Sequence, residues 1–425
     1  MTDDVKVNIC ISRKTDGFSV ANDLIEKEKN RSFSQQPKAL FLFTTIHYKN
    51  EFASILSALK TNFLNVPLIG GTISGFMSNE GCYARGVILL IIYGEEINVT
   101  QAIGHNTKKN PKKAVQQITE GIDFQSRYNH NVLLEFASTA VIPHIPGLGQ
   151  QNVILSTTVG NQIQKLVPIM NKFNYGYDRA DELLDYLSEI YPDRLIIGGC
   201  TMDDNKMLEN YQFYNDKVNK NAIVALNLSL PNPIGFEHIL GFKPLDKTFQ
   251  ITELSKDKHM IKKIDGKSAR KRLFEELNIE ITEPKRTHQL FKKSFYYPLG
   301  FKKDDIWHSF VIGIIYGDAL IGGSQIKSDT VRLLSLSVGS IFQNIKQHLK
   351  EIEQKDLCLL FGFACETFLE TLGGRIYHIH KEFKKIDAPF LILFLSGESF
   401  YHPEIGSHHL YESMNLFTIE KSDTT

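Results

Sequence analysis

Ile196-Ile197-Gly198-Gly199-Cys200-Thr201 and, earlier in the chain, Leu68-Ile69-Gly70-Gly71-Thr72 are two apolar strands that stop on a paired glycine. A shift of about 128 residues superposes the glycines and carries Ile55, Leu56 and Leu59 onto Leu183, Leu184 and Leu187, which is the mark of an internal repeat. The three matched residues have the spacing of one helix face, so each copy reads as helix followed by buried strand. A strand that ends on glycine lets another backbone come close, because no Cβ intervenes. The carboxyl ends of such strands are also where open α/β sheets place ligands. The repeat therefore points to a fold and to the position of a site, and it names no reaction.

Outward from these copies, Leu40-Phe41-Leu42-Phe43-Thr44 reads as the strand before the first helix and Val132-Leu133-Leu134-Glu135-Phe136 as its counterpart. An apolar strand, a helix and a second apolar strand imply a parallel crossover, and the strands that trail each copy (Val87-Ile92 and Ile97-Ile103; Ala222-Leu228 and Ile234-Gly241) read as antiparallel hairpins. The second copy carries an insertion, Ala140 to Lys172. A third helix-flanked pair, Leu357-Phe361 and Pro389-Phe394, aligns with the first at a shift of about 322, which brings Ser74-Gly75 onto Ser396-Gly397. The expected class is mixed α/β (α+β), with layered mixed sheets and helices built from repeated strand-helix-strand units. Residues 1–37 read as an N-terminal segment, partly loop. Residues 38–245 form one module and 246–419 a second, of shorter alternating strands, with a polar connector at Glu283-Pro284-Lys285-Arg286-Thr287-His288. Residues 420–425 are a polar tail.

The 425 residues are 42% hydrophobic, enough for a large core in two or three domains. Lys+Arg and Asp+Glu both number 48, so no net field draws in nucleic acid or an anionic membrane. Cys10, Cys82, Cys200, Cys358 and Cys365 contain no C-x-x-C and suit buried, reduced thiols. No apolar leader pattern opens the chain and no apolar run is long enough to span a bilayer, so a cytoplasmic protein is expected.

Three blocks in this order resemble the FIST family, named for F-box and intracellular signal transduction proteins. They are Pro67-Leu68-Ile69-Gly70-Gly71-Thr72 with Gly86-Val87-Ile88-Leu89-Leu90, the turn Ile264-Asp265-Gly266-Lys267-Ser268-Ala269, and Ser396-Gly397-Glu398 with Leu410-Tyr411-Glu412-Ser413. The resemblance spans residues 38 to 419. It implies an N-terminal and a C-terminal FIST module forming a sensory domain, with amino acids or related metabolites as ligands and no established catalysis. The family tends to place an arginine soon after a cysteine, whereas this chain has Ala364-Cys365-Glu366-Thr367, with Arg375 the nearest arginine. No output module accompanies the sensor, so a signalling protein partner is implied.

The residues at strand ends are the candidate ligand contacts: Gly71, Thr72, Ser74, Gly199, Cys200, Thr201, Cys365, Ser396 and Glu398. Gly70 to Gly75 lacks the Lys-Ser/Thr ending of a phosphate loop. Glu398, after a buried strand and a glycine, is expected to line the main concave site with Ser396 and accept from a ligand ammonium, with Tyr401 and His402 beside it. Cys200 has no base or positive charge close in sequence, and Glu366 beside Cys365 would raise that thiol's pKa, so the expected state of both is an inert buried thiol. His378-Ile379-His380 lies on a predicted helix, where the two rings diverge. With His408-His409 it gives no metal-ligand spacing, so no metal and no cofactor are expected. Lys108-Lys109 and Lys112-Lys113 read as a solvated helix start. No triad order or G-x-S-x-G appears, so no catalytic residue is assigned. The alternative to a sensor is a hydrolase that uses Cys365 or Ser396 with His409.

Overall fold

The computed structural model describes residues 5–123, 128, 130–145, 147, 149–280 and 293–422. The polar connector Glu283–His288, Pro146 and Leu148 of the insertion loop, and the chain ends lie outside them.

Each glycine-paired strand lies parallel to the strand that precedes its helix. Pro37–Thr45 pairs with Leu68–Ile73, and His130–Ser138 with Leu195–Thr201. The late pair, Leu357–Cys365 and Phe390–Leu395, is arranged in the same way. Phe43 faces Gly71, Phe136 faces Gly199, and Phe363 faces Leu393 at equivalent positions. The repeat is therefore threefold.

Each parallel pair sits inside a six-stranded sheet of the same plan. On one side come two antiparallel strands: Val87–Tyr93 and Lys6–Ser12, Ala222–Leu230 and Asn98–His105, Ser413–Glu420 and Ile234–Leu240. On the other side lies a short hairpin, and no unit supplies its own. The hairpin Gly75–Ser78/Gly81–Tyr83, which follows the first unit, completes the third sheet. Gln212–Tyr214/Lys217–Asn219 follows the second unit and completes the first sheet. Glu398–His402/Gly406–Leu410 follows the third and completes the second.

The strands are apolar on both faces because both are covered. In the strand Pro37–Thr45, Phe41 and Phe43 turn towards a core shared by all three sheets, whereas Leu40 and Leu42 turn towards helices. In the shared core the ring of Phe136 lies 4.8 Å from Phe43 and 5.8 Å from Phe363. Helices Gly17–Lys29 and Phe52–Asn62 cover the first sheet, Pro111–Gly121 and Ala180–Ile190 the second, and Val338–Ile352 with Ile376–Phe383 the third. A fourth sheet, centred on the long strand Phe242–Leu254, adds a further layer.

The N-terminal segment, partly loop, also carries an edge strand, Lys6–Ser12, and a helix, Gly17–Lys29. The hairpin reading and the late helix need correction. Val87–Tyr93 and Asn98–His105 do not pair with each other, because Val87–Tyr93 already has partners on both edges and the chain crosses to the next sheet. Ala222–Leu230 and Ile234–Leu240 part in the same way. The predicted helix that carries His378 and His380 is broken at Gly373-Gly374, into Glu366–Leu372, a 3-10 turn and Ile376–Phe383.

Candidate functional site

A narrow cleft opens where the parallel strands of the second and third units end. Thr139, Met202, Cys365 and Ser396 bring the strand ends to its wall, and Gly313, Ile314 and Ile321 close it from the fourth sheet. Its cavity volume is about 70 Å³. The loop that supplies Met202, Asn205 and Met207 is tied by Asp203, whose carboxylate accepts from the backbone N–H groups of Lys206, Met207, Leu208 and Glu209. The segment between the insertion and the helix Ala180–Ile190 contributes Tyr177 and Asp178; Tyr177 stacks on His259 at 4.2 Å and donates to Asp257. A larger groove between Glu28 and Val99 is open and lies by Lys38 and Pro67, at the amino ends of the strands. The argued position for ligands is the opposite end.

The wall is mostly apolar and carries two carboxyl groups, Asp178 and Glu366, with no Lys or Arg among its lining residues. Burial pushes the Asp178 carboxyl up from its ordinary value, and burial with the charges of Glu370, Asp203 and Asp204 pushes Glu366 up to about 8. Tyr411 donates to Asp178 Oδ2 at 3.1 Å, and the Thr139 hydroxyl donates to Ser396 Oγ at 2.9 Å.

Of the residues singled out in the sequence, Cys365 and Ser396 stand on this wall. Gly199, Cys200 and Thr201 are buried within their strand, and the Thr201 hydroxyl donates to the Ala137 carbonyl at 3.1 Å. Gly71, Thr72 and Ser74 lie at the junction of the first sheet with the others. Thr72 Oγ1 accepts from Tyr211 N–H at 3.0 Å and Ser74 Oγ donates to the Asp203 carbonyl at 3.0 Å. Glu398 is not among the residues lining the cleft. It opens the next strand, fully buried between Gly199 and Leu410, and its Oε2 accepts from Ser413 Oγ at 2.9 Å. Tyr401 and His402 lie further along that strand, where Tyr401 donates to the Pro192 carbonyl.

Lys108 is the residue the sequence conceals. It is 1% exposed, with Nζ donating to the Thr139 carbonyl at 2.6 Å and to Ser138 Oγ at 3.1 Å. Burial lowers its pKa to about 8, against the pull of Asp178 and Cys200. Among neighbouring lysines its only signal is its place before the Asn110-Pro111 helix start. His378 and His380 share the short helix Ile376–Phe383, and His380 bonds the Ser78 carbonyl at 2.8 Å. His408 bonds His308 at 3.0 Å, and His409 Nδ1 bonds Ser399 Oγ at 2.9 Å.

The body is a threefold layered α/β assembly with a cleft at its strand ends. The FIST N domain matches residues 38–267, and the chain belongs to the FIST family of sensory and signalling modules. No curated protein matches the chain. Solved structures similar to it include a cyanuric acid hydrolase from A. caulinodans, at 9% identity and a TM-score of 0.28 over 56% of this chain and 71% of that one. A second cyanuric acid hydrolase, described as an innovation by structural concatenation, has 10% identity and a TM-score of 0.25 over 79% of this chain and all of that one (100%). Likeness at that level carries no argument about activity. No helix among the described residues is long and apolar enough to cross a membrane.

Proposed function

We propose that the chain is a non-catalytic sensor that holds a small amine-bearing metabolite, such as an amino acid, in the cleft between its second and third units and passes the signal to a protein partner. The observation that carries this reading is the composition of the wall: apolar surface with a few convergent polar groups, two of them carboxyls, and no lining cation. An ammonium group is the complement of that set, because it donates to Asp178 and Glu366 and restores their charge. A ligand bridging Ser396, Cys365 and the fourth sheet would shift the balance between open and closed arrangements of the layers it touches. Cys200 and Thr201 support the wall from behind, and Gly71, Thr72, Ser74, Gly199 and Glu398 hold the junctions between units.

Native mass spectrometry of the purified full chain, followed by calorimetry with an amino-acid panel, tests the reading. A retained or titrated amine supports it; exclusive binding of anions overturns it.

One observation favours the hydrolase alternative, and it falls on other residues than Cys365 and Ser396. Lys108 Nζ stands 3.1 Å from Ser138 Oγ, and an amine with a pKa near 8 can act as a base towards a hydroxyl. Ser138 lies behind Thr139 and is not on the cleft wall. Labelling of Ser138 by an acyl-transfer probe would favour catalysis over sensing.

A further inference from the structure

We propose that Asp178, Cys200 and His409 form a binding site for one thiophilic divalent cation of the zinc class, set just behind the cleft. One donor atom from each lies within 4.8 Å of the others, and all three residues are buried. A tetrahedral zinc site with ligand distances of about 2.0–2.3 Å needs donor separations of about 3.5 Å. Side-chain rotation of roughly 1 Å therefore closes the set.

The three residues come from three parts of the chain: the start of the helix Ala180–Ile190, the end of the strand Leu195–Thr201, and the hairpin lent by the third unit. Two donor atoms have no hydrogen-bond partner among the described residues, Asp178 Oδ1 and His409 Nε2. Burying such atoms unpaired costs about 1–3 kcal/mol each. The Tyr411 hydroxyl donates to Asp178 Oδ2, so Oδ1 is left free to accept a metal.

The support behind His409 is the kind that orients a metal ligand. Its Nδ1 bonds Ser399 Oγ at 2.9 Å, and the Ser399 hydroxyl in turn bonds the buried Glu135 carboxyl. In the tautomer with the proton on Nδ1, donating to Ser399 Oγ, Nε2 is presented as a lone pair. Gly397, at φ +88°, leaves the space: a Cβ there would stand 2.8 Å from His409 Nε2. Asp178 also lines the cleft, so the fourth position faces it and a water or ligand atom can complete the sphere. On binding, the Cys200 thiol releases its proton to solvent and the sulfur becomes the metal-bound thiolate.

The other close grouping, Asp181, Glu182 and His259, is already committed. Arg179 grips Glu182 through two hydrogen bonds, and the backbone N–H groups of Glu182 and Gln325 occupy Asp181. Lys108 is the cation facing the proposed site. It competes with the metal for Asp178 and Cys200, although its hydrogen bonds go to Ser138 and Thr139.

The test is cobalt(II) titration of the metal-stripped full chain, read by the sulfur-to-cobalt charge-transfer band, with elemental analysis of the zinc-loaded protein. One equivalent with a thiolate band is expected. Cys200→Ser should lose the band and His409→Gln should lose stoichiometric binding. Ser399→Ala, which leaves all three ligands in place, should weaken binding at least about tenfold, and Lys108→Met should tighten it. No uptake by the folded wild-type chain overturns the proposal. So does one equivalent whose band and affinity are unchanged in Cys200→Ser and Ser399→Ala. Ser399→Ala and Lys108→Met retain the ligand set, so they decide the matter if the ligand variants fail to fold.

Discussion

The backbone N–H of Ser396 donates to the carbonyl of Cys200 at 3.0 Å, joining the third unit to the second. Met202 N–H donates to Thr72 at 2.9 Å and Ser74 N–H to Phe394 at 3.1 Å, so the same bond recurs at each of the three junctions. The glycine pairs stand one residue before this ring of bonds.

Gly71 and Gly199 are needed where the units meet. A Cβ on Gly71 would come within 2.5 Å of Thr201 Cγ2 and the Tyr211 carbonyl, and one on Gly199 within 2.4 Å of the Gly397 carbonyl. Gly71→Val or Gly199→Val should each destabilise the fold by about 3 kcal/mol or more, beyond the usual cost of overpacking because backbone is struck. Urea unfolding measures it. Wild-type midpoints for both variants would sink the junction argument.

Gly313 is a contrasting position on the cleft wall. A Cβ there meets nothing nearer than Met207 Sδ at 3.6 Å. Gly313→Leu should fill the cleft and abolish binding of an amine ligand while the melting temperature stays within a few degrees of wild type. Calorimetry and thermal unfolding read the two effects, and undiminished affinity would place the ligand elsewhere.

Glu366 should make stability depend on pH. Its folded pKa, about 8, lies above the ordinary carboxyl value of 4.5, so the folded chain holds a proton that the unfolded chain releases. That contribution is complete below pH 4.5 and is lost as pH rises to about 8, at about 1.4 kcal/mol per unit. Glu366→Gln should therefore match wild type near pH 4.5 and exceed its stability above pH 8. Parallel denaturation profiles across that range would show that Glu366 ionises as it does in water.

Cys200 should resist thiol reagents in the metal-free native protein. Burial, with Asp178 and Glu135 nearby, pushes its pKa well up, whereas Cys82 is half-buried and rises only to about 11. Cys82 should label first and Cys200 only on unfolding, as peptide mapping can show. Fast native labelling of Cys200 would favour the hydrolase alternative.

The local pattern made the units legible. Glycine pairs, the 3.6-residue spacing of Ile55, Leu56 and Leu59, and the match of Ser74-Gly75 to Ser396-Gly397 all reflect contacts that recur within each unit. The exchange of hairpins left no such trace, because Glu398 pairs with Gly199, a partner about 200 residues away. Glu398 looked like a residue leaving a sheet, and it leaves one only to enter another. Lys108 looked solvated because its acceptors, Ser138 and Thr139, lie at the far end of a strand that begins after a helix. The wall of the cleft was half visible: Cys365 and Ser396 end apolar strands, but Asp178 and Glu366 acquire their character from burial.

Because every hairpin is lent to a neighbour, no unit can finish its own sheet. The first sheet closes only when residues 212–219 have emerged, the third needs residues 75–83, and the second waits for residues 398–410 near the end of the chain. A nascent chain stalled before residue 398 would expose the bare edge of Leu195–Thr201, an apolar strand of the kind that pairs with strangers. Three separate copies of one unit, each reaching forward to the next, would satisfy the same bonds. In a single chain the circle is drawn by the linkers, and cutting one of them need not open it.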